Sequence, residues 1–231
     1  QTYTQALLEK DIKTQDRILI YLPSEIKLVE IILACFEIGA IATPISTRLT
    51  KSERDAVIEK IQPNFIITNQ EFQSDLISYS MPLVTIEDFV SSTSIHKNEY
   101  EKNPDDVCAI LLTSGTTGIP KAVQLTYSNF ECSCNHWDGF LQFESTDQFL
   151  CCLPLYHIGG LAVLIRALIY GFSINLVSEF RSGIILNTIQ KHPVSIISLV
   201  PTMLKRILNL ESGLEVLKSL RWILLGGGPS P

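Results

Sequence analysis

Three things this chain has little of narrow its reading before any motif is considered. Basic residues are in deficit: 18 Lys and Arg against 24 Asp and Glu leave a formal net charge of -6 over 231 residues. That balance argues against an extended nucleic-acid surface, although a local basic site remains compatible with it. A long uninterrupted hydrophobic run is lacking too. The longest apolar stretch, Ile158 to Ile174, is broken by Arg166, Gly159, Gly160 and Gly171 and is too short for a membrane span, so no membrane insertion is expected. Paired CxxC spacing is also missing. The six cysteines, Cys35, Cys108, Cys132, Cys134, Cys151 and Cys152, lie mostly inside apolar runs. They read as free thiols acting as small hydrophobes in a reducing, cytoplasmic compartment, neither a zinc site nor a disulfide framework.

What is present in quantity is core material. At 46% hydrophobic residues the chain has enough for a large core, and disorder is excluded as a global description. Its most informative stretch is Leu111 to Lys121, LLTSGTTGIPK. A buried-strand run gives way at once to small hydroxyl-bearing residues and glycines and then to a lysine. Gly115 and Gly118 let the backbone turn tightly and approach a ligand. Thr113, Ser114, Thr116 and Thr117 supply hydroxyls, the amides add donors, and Lys121 adds a charge on a long stem. Most such clusters are plain turns. The spacing also differs from GxxxxGK[ST], with Ala122 where a magnesium-binding hydroxyl would stand.

The whole string TSGTTGIPK, however, resembles the phosphate loop of the adenylate-forming enzymes, which include acyl-CoA synthetases, luciferases and peptide-synthetase adenylation domains. The resemblance implies that Thr113, Ser114, Gly115, Thr116, Thr117, Gly118 and Lys121 hold the phosphates of ATP. It extends to PLYHIGGLAVLIRALIYGF at Pro154 to Phe172, TRLT at Thr47 to Thr50, and ISLVPTML at Ile197 to Leu204. These segments are similar to those of one branch, the o-succinylbenzoate:CoA ligases of menaquinone biosynthesis.

Around these motifs the chain alternates short apolar runs with segments of helical period. Strands are expected near Asp16–Leu22, Ala40–Ile45, Phe65–Thr68, Leu83–Ile86 and Asp105–Leu111, then near Val123–Leu125, Gln148–Leu153, Phe172–Val177, Ser195–Val200 and Leu220–Leu225. Helices are expected at Glu25–Glu37, capped by Ser24, at Ser52–Ile61, after Ser128, at Gly160–Tyr170, at Ile184–Lys191, and at Thr202–Leu208 behind Pro201. An amphipathic segment covers Phe72–Tyr79, and Asp88–Pro104 reads as a polar surface connection. The fold class is therefore α/β, with layered, mostly parallel sheets and helices on both faces, as in the large N-terminal domain of the resembled family. The second half repeats the alternation of the first without an evident repeated motif, and a subdomain junction is expected near 104/105.

Three further features carry chemistry. His157 follows a strand end, where α/β folds present ligand-contacting residues. A lone histidine there is more often structural, but the resemblance assigns it to the acyl pocket. Gly226, Gly227 and Gly228 follow the last strand; the resemblance makes them the wall between acyl pocket and adenine, where only bare backbone fits. Arg166 is the single charge of its apolar helix and needs a partner or a snorkelling exit. Its sharper reading is contact with a dicarboxylate, although nine residues separate it from His157, close to half a turn out of phase.

The resemblance implies an ATP-dependent, AMP-forming acid:CoA ligase using ATP, Mg²⁺, coenzyme A and a small carboxylic acid, with o-succinylbenzoate the favoured acid. Another acyl- or aryl-CoA synthetase or a carrier-loading adenylation domain, and a non-catalytic nucleotide-binding module, remain open. The family's magnesium-binding glutamate, ribose-binding aspartate and catalytic lysine have no counterpart between Gln1 and Pro231. The chain is thus expected to be part of the large domain, impaired as an enzyme alone, with no metal ligand of its own.

Overall fold

The computed structural model describes residues 2–89, 100–113 and 121–228, which form two compact units, Gln1–Phe130 and Glu131–Pro231. In the first unit, helix α1 (Thr2–Glu9) precedes a six-stranded sheet of order β4-β3-β1-β2-β5-β6. The strands are β1 (Arg17–Ile20), β2 (Ile41–Pro44), β3 (Phe65–Thr68), β4 (Leu83–Thr85), β5 (Val107–Thr113) and β6 (Lys121–Thr126). All neighbours pair parallel except β5 and β6, which are antiparallel. Strands such as RILI and FIIT are apolar almost throughout because both faces of a parallel sheet are covered.

Helix α2 (Ile26–Ile38) buries Leu28, Ile31, Ile32, Cys35 and Phe36, the stripe that a 3.6-residue period predicts. Its expected cap, Ser24, does not serve. Glu25 is the N-cap without a side-chain bond, and the helix is closed instead by Gly39 in the left-handed region at φ +73°. Helix α3 (Lys51–Ile61) starts one residue before Ser52 because Thr50 and Glu53 form a reciprocal capping box. The expected amphipathic segment Phe72–Tyr79 holds only a single 3-10 turn, Gln73–Asp75. The connection expected over Asp88–Pro104 falls largely outside the described residues. Strand β5, placed from sequence at the start of a second subdomain, hydrogen-bonds to β2 within the first unit.

Helix α4 (Tyr127–Leu141) spans the junction. In the second unit, β7 (Gln148–Cys151), β8 (Ser173–Leu176), β9 (Ile196–Leu199) and β10 (Trp222–Leu225) form a parallel sheet of order β10-β9-β7-β8. Its connections are α5 (Ile158–Tyr170), α6 (Ser182–Lys191), α7 (Pro201–Leu208, with Pro201 in its first turn) and the short α8 (Gly213–Leu217). Ile185, Leu186, Ile189, Ile207, Val216 and Leu217 from α6 to α8 share one core with Leu150, Ile197 and Leu199. α5 crosses in the opposite direction, so right-handed crossovers put it on the other face.

The two units repeat one topology, β4-β3-β1-β2 in the first and β10-β9-β7-β8 in the second. The hydrogen bonding repeats with it. The Asp16 carboxylate accepts from Lys13 N at 2.8 Å, and the Asp147 carboxylate accepts from Glu144 N at 2.9 Å. Asp16 O accepts from Ile41 N, and Asp147 O from Ser173 N. Arg17 N donates to Asn64 Oδ1, and Gln148 N to Ser195 Oγ. A repeated motif exists after all: DxxLxxLP covers Asp16 to Pro23 and Asp147 to Pro154. The aspartate ends the preceding turn, Leu19, Leu22 and Leu150 fill the core while Leu153 is half-buried, and proline leaves the sheet.

All six cysteines are free, and all but Cys132 are buried. Burial pushes the thiols of Cys35, Cys108, Cys151 and Cys152 up to about 12, which makes them packing residues rather than nucleophiles. Among the described residues no helix is long and apolar enough to cross a membrane.

Candidate functional site

The stretch read as a phosphate loop joins β5 to β6, which pair antiparallel as the two arms of a hairpin. β5 is buried from Cys108 to Leu111 and becomes exposed at Thr113, its last residue. Thr113 pairs directly with Lys121, the first residue of β6, and that side chain is exposed as well. Ser114, Gly115, Thr116, Thr117 and Gly118 lie outside the described residues. The hairpin leaves the carboxyl edge shared by β1, β2, β3 and β5, where open parallel sheets present ligand-binding loops. Its base is anchored: Leu112 and Ala122 pack on a core cluster that includes Tyr21, Ile45, Val57 and Ile66.

In the second unit His157 is the N-cap of α5, with extended backbone at φ -113°, ψ 150°, and its N–H donates to Pro154 O at 3.0 Å. Its ring meets Tyr156 edge-on, with centroids 4.6 Å apart. His157 is exposed, but partial desolvation by its neighbours lowers the imidazole pKa, so the neutral form is favoured at physiological pH. Strand β10 ends at Leu225, and the N–H of Gly226 just after it donates to Leu199 O at 3.1 Å. Gly227 has φ +76°, and a Cβ there would stand 3.1 Å from Val200 Cγ1; at Gly228 it would stand 3.7 Å from Pro201 Cγ. Gly227 therefore needs to be glycine on two grounds, backbone and space.

His157 and the glycine turn lie at the same sheet edge. The chain runs from β7 to β8 in one direction and from β9 to β10 in the other, so the loops after β7 and β9 part to opposite faces. The crevice between such diverging loops is the ligand position of open α/β sheets. His157 stands on one loop, Val200 and Pro201 on the other, with the glycine turn beside them.

Arg166 on α5 is 7% exposed, and its guanidinium lies over the Trp137 ring, 5.1 Å from the centroid. Its Nε has no hydrogen-bond partner, nor does the buried Tyr170 Oη one turn on, and no carboxylate pairs with it among the described residues. Burial lowers its pKa from the usual arginine value. Arg166 lies nine residues beyond His157, the N-cap of α5, and its guanidinium is turned onto Trp137 of α4.

The AMP-binding enzyme family model matches residues 2–231. The chain belongs to the AMP-binding enzyme family. Among its relatives, the 2-succinylbenzoate–CoA ligase of Oceanobacillus iheyensis is 32% identical over 232 residues, covering 100% of this chain and 48% of that protein. The ligase of the same name from Bacillus subtilis is 31% identical over 228 residues, covering 98% and 46%. The solved o-succinylbenzoate CoA synthetase of Bacillus subtilis, in complex with its acyl-adenylate intermediate, superposes with a TM-score of 0.89 at 30% identity over 99% of this chain and 60% of that one. The chain spans about half the length of the curated relatives it matches.

Within each unit the structure brings some of the sequence-predicted residues together. Thr113 and Lys121 come together at the base of one hairpin, and His157 and Gly226–Gly228 share one sheet edge. Trp137, Val200 and Pro201 were read from sequence only as helix or strand residues; their contacts with Arg166 and the glycine turn arise from tertiary packing, and no local signal announces them.

Proposed function

We propose that the protein is an ATP-dependent acid:CoA ligase that forms an acyl-adenylate and then an acyl-CoA thioester, with o-succinylbenzoate as its acid. One observation carries the ATP reading: Thr113 and Lys121, both exposed, face each other at the base of a Ser/Thr/Gly hairpin on a sheet's carboxyl edge, within a chain of the AMP-binding family. In this reading the acid carboxylate attacks the α-phosphorus in line and pyrophosphate leaves. The thiol of coenzyme A then attacks the acyl carbon, and AMP leaves. Neither step requires a covalent enzyme intermediate, so the protein contributes position and charge compensation.

Lys121 and the hairpin hydroxyls and amides hold the β- and γ-phosphates. Mg²⁺ bound with the nucleotide would share the phosphate charge. Neutral His157 and the bare backbone of Gly226, Gly227 and Gly228 line the acyl side. The acid assignment draws on Arg166: o-succinylbenzoate keeps a second carboxylate after the first reacts, and a buried, unpaired guanidinium is a counter-charge for it. The free thiols fit a reducing compartment, and we place the protein in the cytoplasm.

The test is acid-driven exchange between ATP and labelled pyrophosphate on the full-length protein. Exchange driven by o-succinylbenzoate and not by aryl monocarboxylates supports the proposal. Exchange driven by fatty, aryl or amino acids instead assigns another acyl-CoA synthetase or an adenylation domain, and ATP binding without exchange leaves a nucleotide-binding module.

A further inference from the structure

In the first unit a buried arginine stands where the second unit uses none. Arg54 on α3 is 6% exposed and lies beneath the fully buried Tyr21, its guanidinium carbon 5.5 Å from the ring centroid. Its Nη1 donates to Tyr21 Oη and to Leu49 O, both at 3.2 Å, and its Nη2 donates to Asp75 O at 3.1 Å. Tyr21 Oη in turn donates to Thr47 O at 3.0 Å. One guanidinium thus holds two carbonyls of the loop after β2, one directly and one through the tyrosine. Its Nε finds no partner.

This is a costly way to fill a core, because a buried guanidinium must replace its hydration with hydrogen bonds and one of its donors here has none. The repeated topology shows that the cost is avoidable. By strand register the counterpart of Tyr21 is Cys152, and the covering helix α6 buries Ile185, Leu186 and Ile189 without a charge. The architecture closes without an arginine, so stability alone does not account for Arg54.

What the Arg54 network holds is adjacent to the hairpin. β2 pairs with β5, so the loop after β2 leaves the sheet beside the strand that enters the phosphate stretch. Tyr21, Ile45 and Leu49 belong to the cluster on which Leu112 and Ala122 pack, and those two residues carry Thr113 and Lys121. We propose that Arg54 and Tyr21 are positioning residues for the phosphate hairpin: by fixing the carbonyls of Thr47 and Leu49 they set the platform that seats Thr113 and Lys121. This rests on the ATP reading above.

The experiment compares the full-length parent with Arg54→Met, Arg54→Lys and Tyr21→Phe. It measures the Kd for Mg-ATP by calorimetry, the KM for ATP and for the acid in pyrophosphate exchange, and Tm. Arg54→Met should keep its Tm while the Kd and KM for ATP rise about tenfold, the scale of one charge-assisted hydrogen bond, with the acid KM unmoved. Arg54→Lys should recover part of the loss, and Tyr21→Phe, which breaks the bonds to Arg54 and to Thr47 O but leaves Arg54 on Leu49 O, should show a smaller rise, about threefold. Folded variants that bind Mg-ATP as the parent does would overturn the proposal. So would equal rises in both KM values accompanied by a fallen Tm, which assign a structural role only. If Arg54→Met does not fold, Tyr21→Phe, which removes one oxygen and no carbon, decides alone. A parent that binds no Mg-ATP would overturn the functional reading and this inference with it.

Discussion

Arg221 donates from Nη1 to both carboxylate oxygens of Asp147, at 3.0 and 2.9 Å, and from Nη2 to the carbonyls of Leu141 and Gln142. Asp147 is 4% exposed and also accepts from Ser195 Oγ at 2.7 Å and Glu144 N at 2.9 Å. The pair ties the entry of β7 to that of β10 and to the end of α4. Arg221 is exposed, so removing Asp147 strands no buried charge, but it breaks four hydrogen bonds to the carboxylate, each worth about 1 kcal/mol. Asp147→Ala should therefore lower the unfolding free energy of the protein by about 3 kcal/mol in a urea titration. A loss below about 1 kcal/mol would show that the clamp is not structural.

Gly227 and Gly226 are adjacent but should respond differently to alanine. At Gly227 the left-handed backbone and Val200 Cγ1 at 3.1 Å both resist a Cβ, whereas at Gly226 an added Cβ meets nothing within 4 Å. Gly227→Ala should cost about 1–2 kcal/mol and raise the KM for the acid, while Gly226→Ala should stay within about 0.5 kcal/mol of the parent. Thermal unfolding with exchange kinetics on the two variants checks the contrast.

Arg166 offers a separation of stability from specificity. Exchanging a buried, unpaired charge for an aliphatic side chain is commonly neutral or stabilising. Arg166→Leu is expected to keep or raise Tm, to raise the KM for a dicarboxylic acid about tenfold or more, and to leave the KM for ATP unchanged. An unchanged KM and acid specificity would remove Arg166 from the pocket.

His157 sets a pH dependence. Its folded pKa lies below its unfolded value because burial disfavours the imidazolium. Just below the unfolded pKa of about 6.5 the unfolded chain binds more protons than the folded one, so stability falls as pH drops through that window and is unaffected above it. His157→Gln should lose less stability than the parent between about pH 6.5 and pH 5, measured by parallel denaturant titrations. Identical slopes would mean that the imidazole titrates freely.

Much of this was legible in contiguous residues. The apolar runs and helical stripes locate the ten strands and most helices among the described residues, because burial on a parallel sheet is written in local periodicity. Thr50-x-x-Glu53 spells its own capping box, and DxxLxxLP stands twice in the chain, so both are legible in local sequence. α1 and α8 were missed because segments of eight and five residues carry too few turns for a periodic signal. The positive φ of Gly227, the Trp137 ring over Arg166, and the reach of Arg54 to Leu49 and Asp75 depend on chain crossings that no local string encodes.

The account turns on Lys121, opposite Thr113 at the base of the hairpin. Its most direct measurement is calorimetric titration of the full-length protein with Mg-ATP, before and after Lys121→Ala. The account predicts that the parent binds and that the variant binds about tenfold to a hundredfold more weakly at unchanged Tm. Equal affinity in the two proteins, or no binding by the parent, would contradict it.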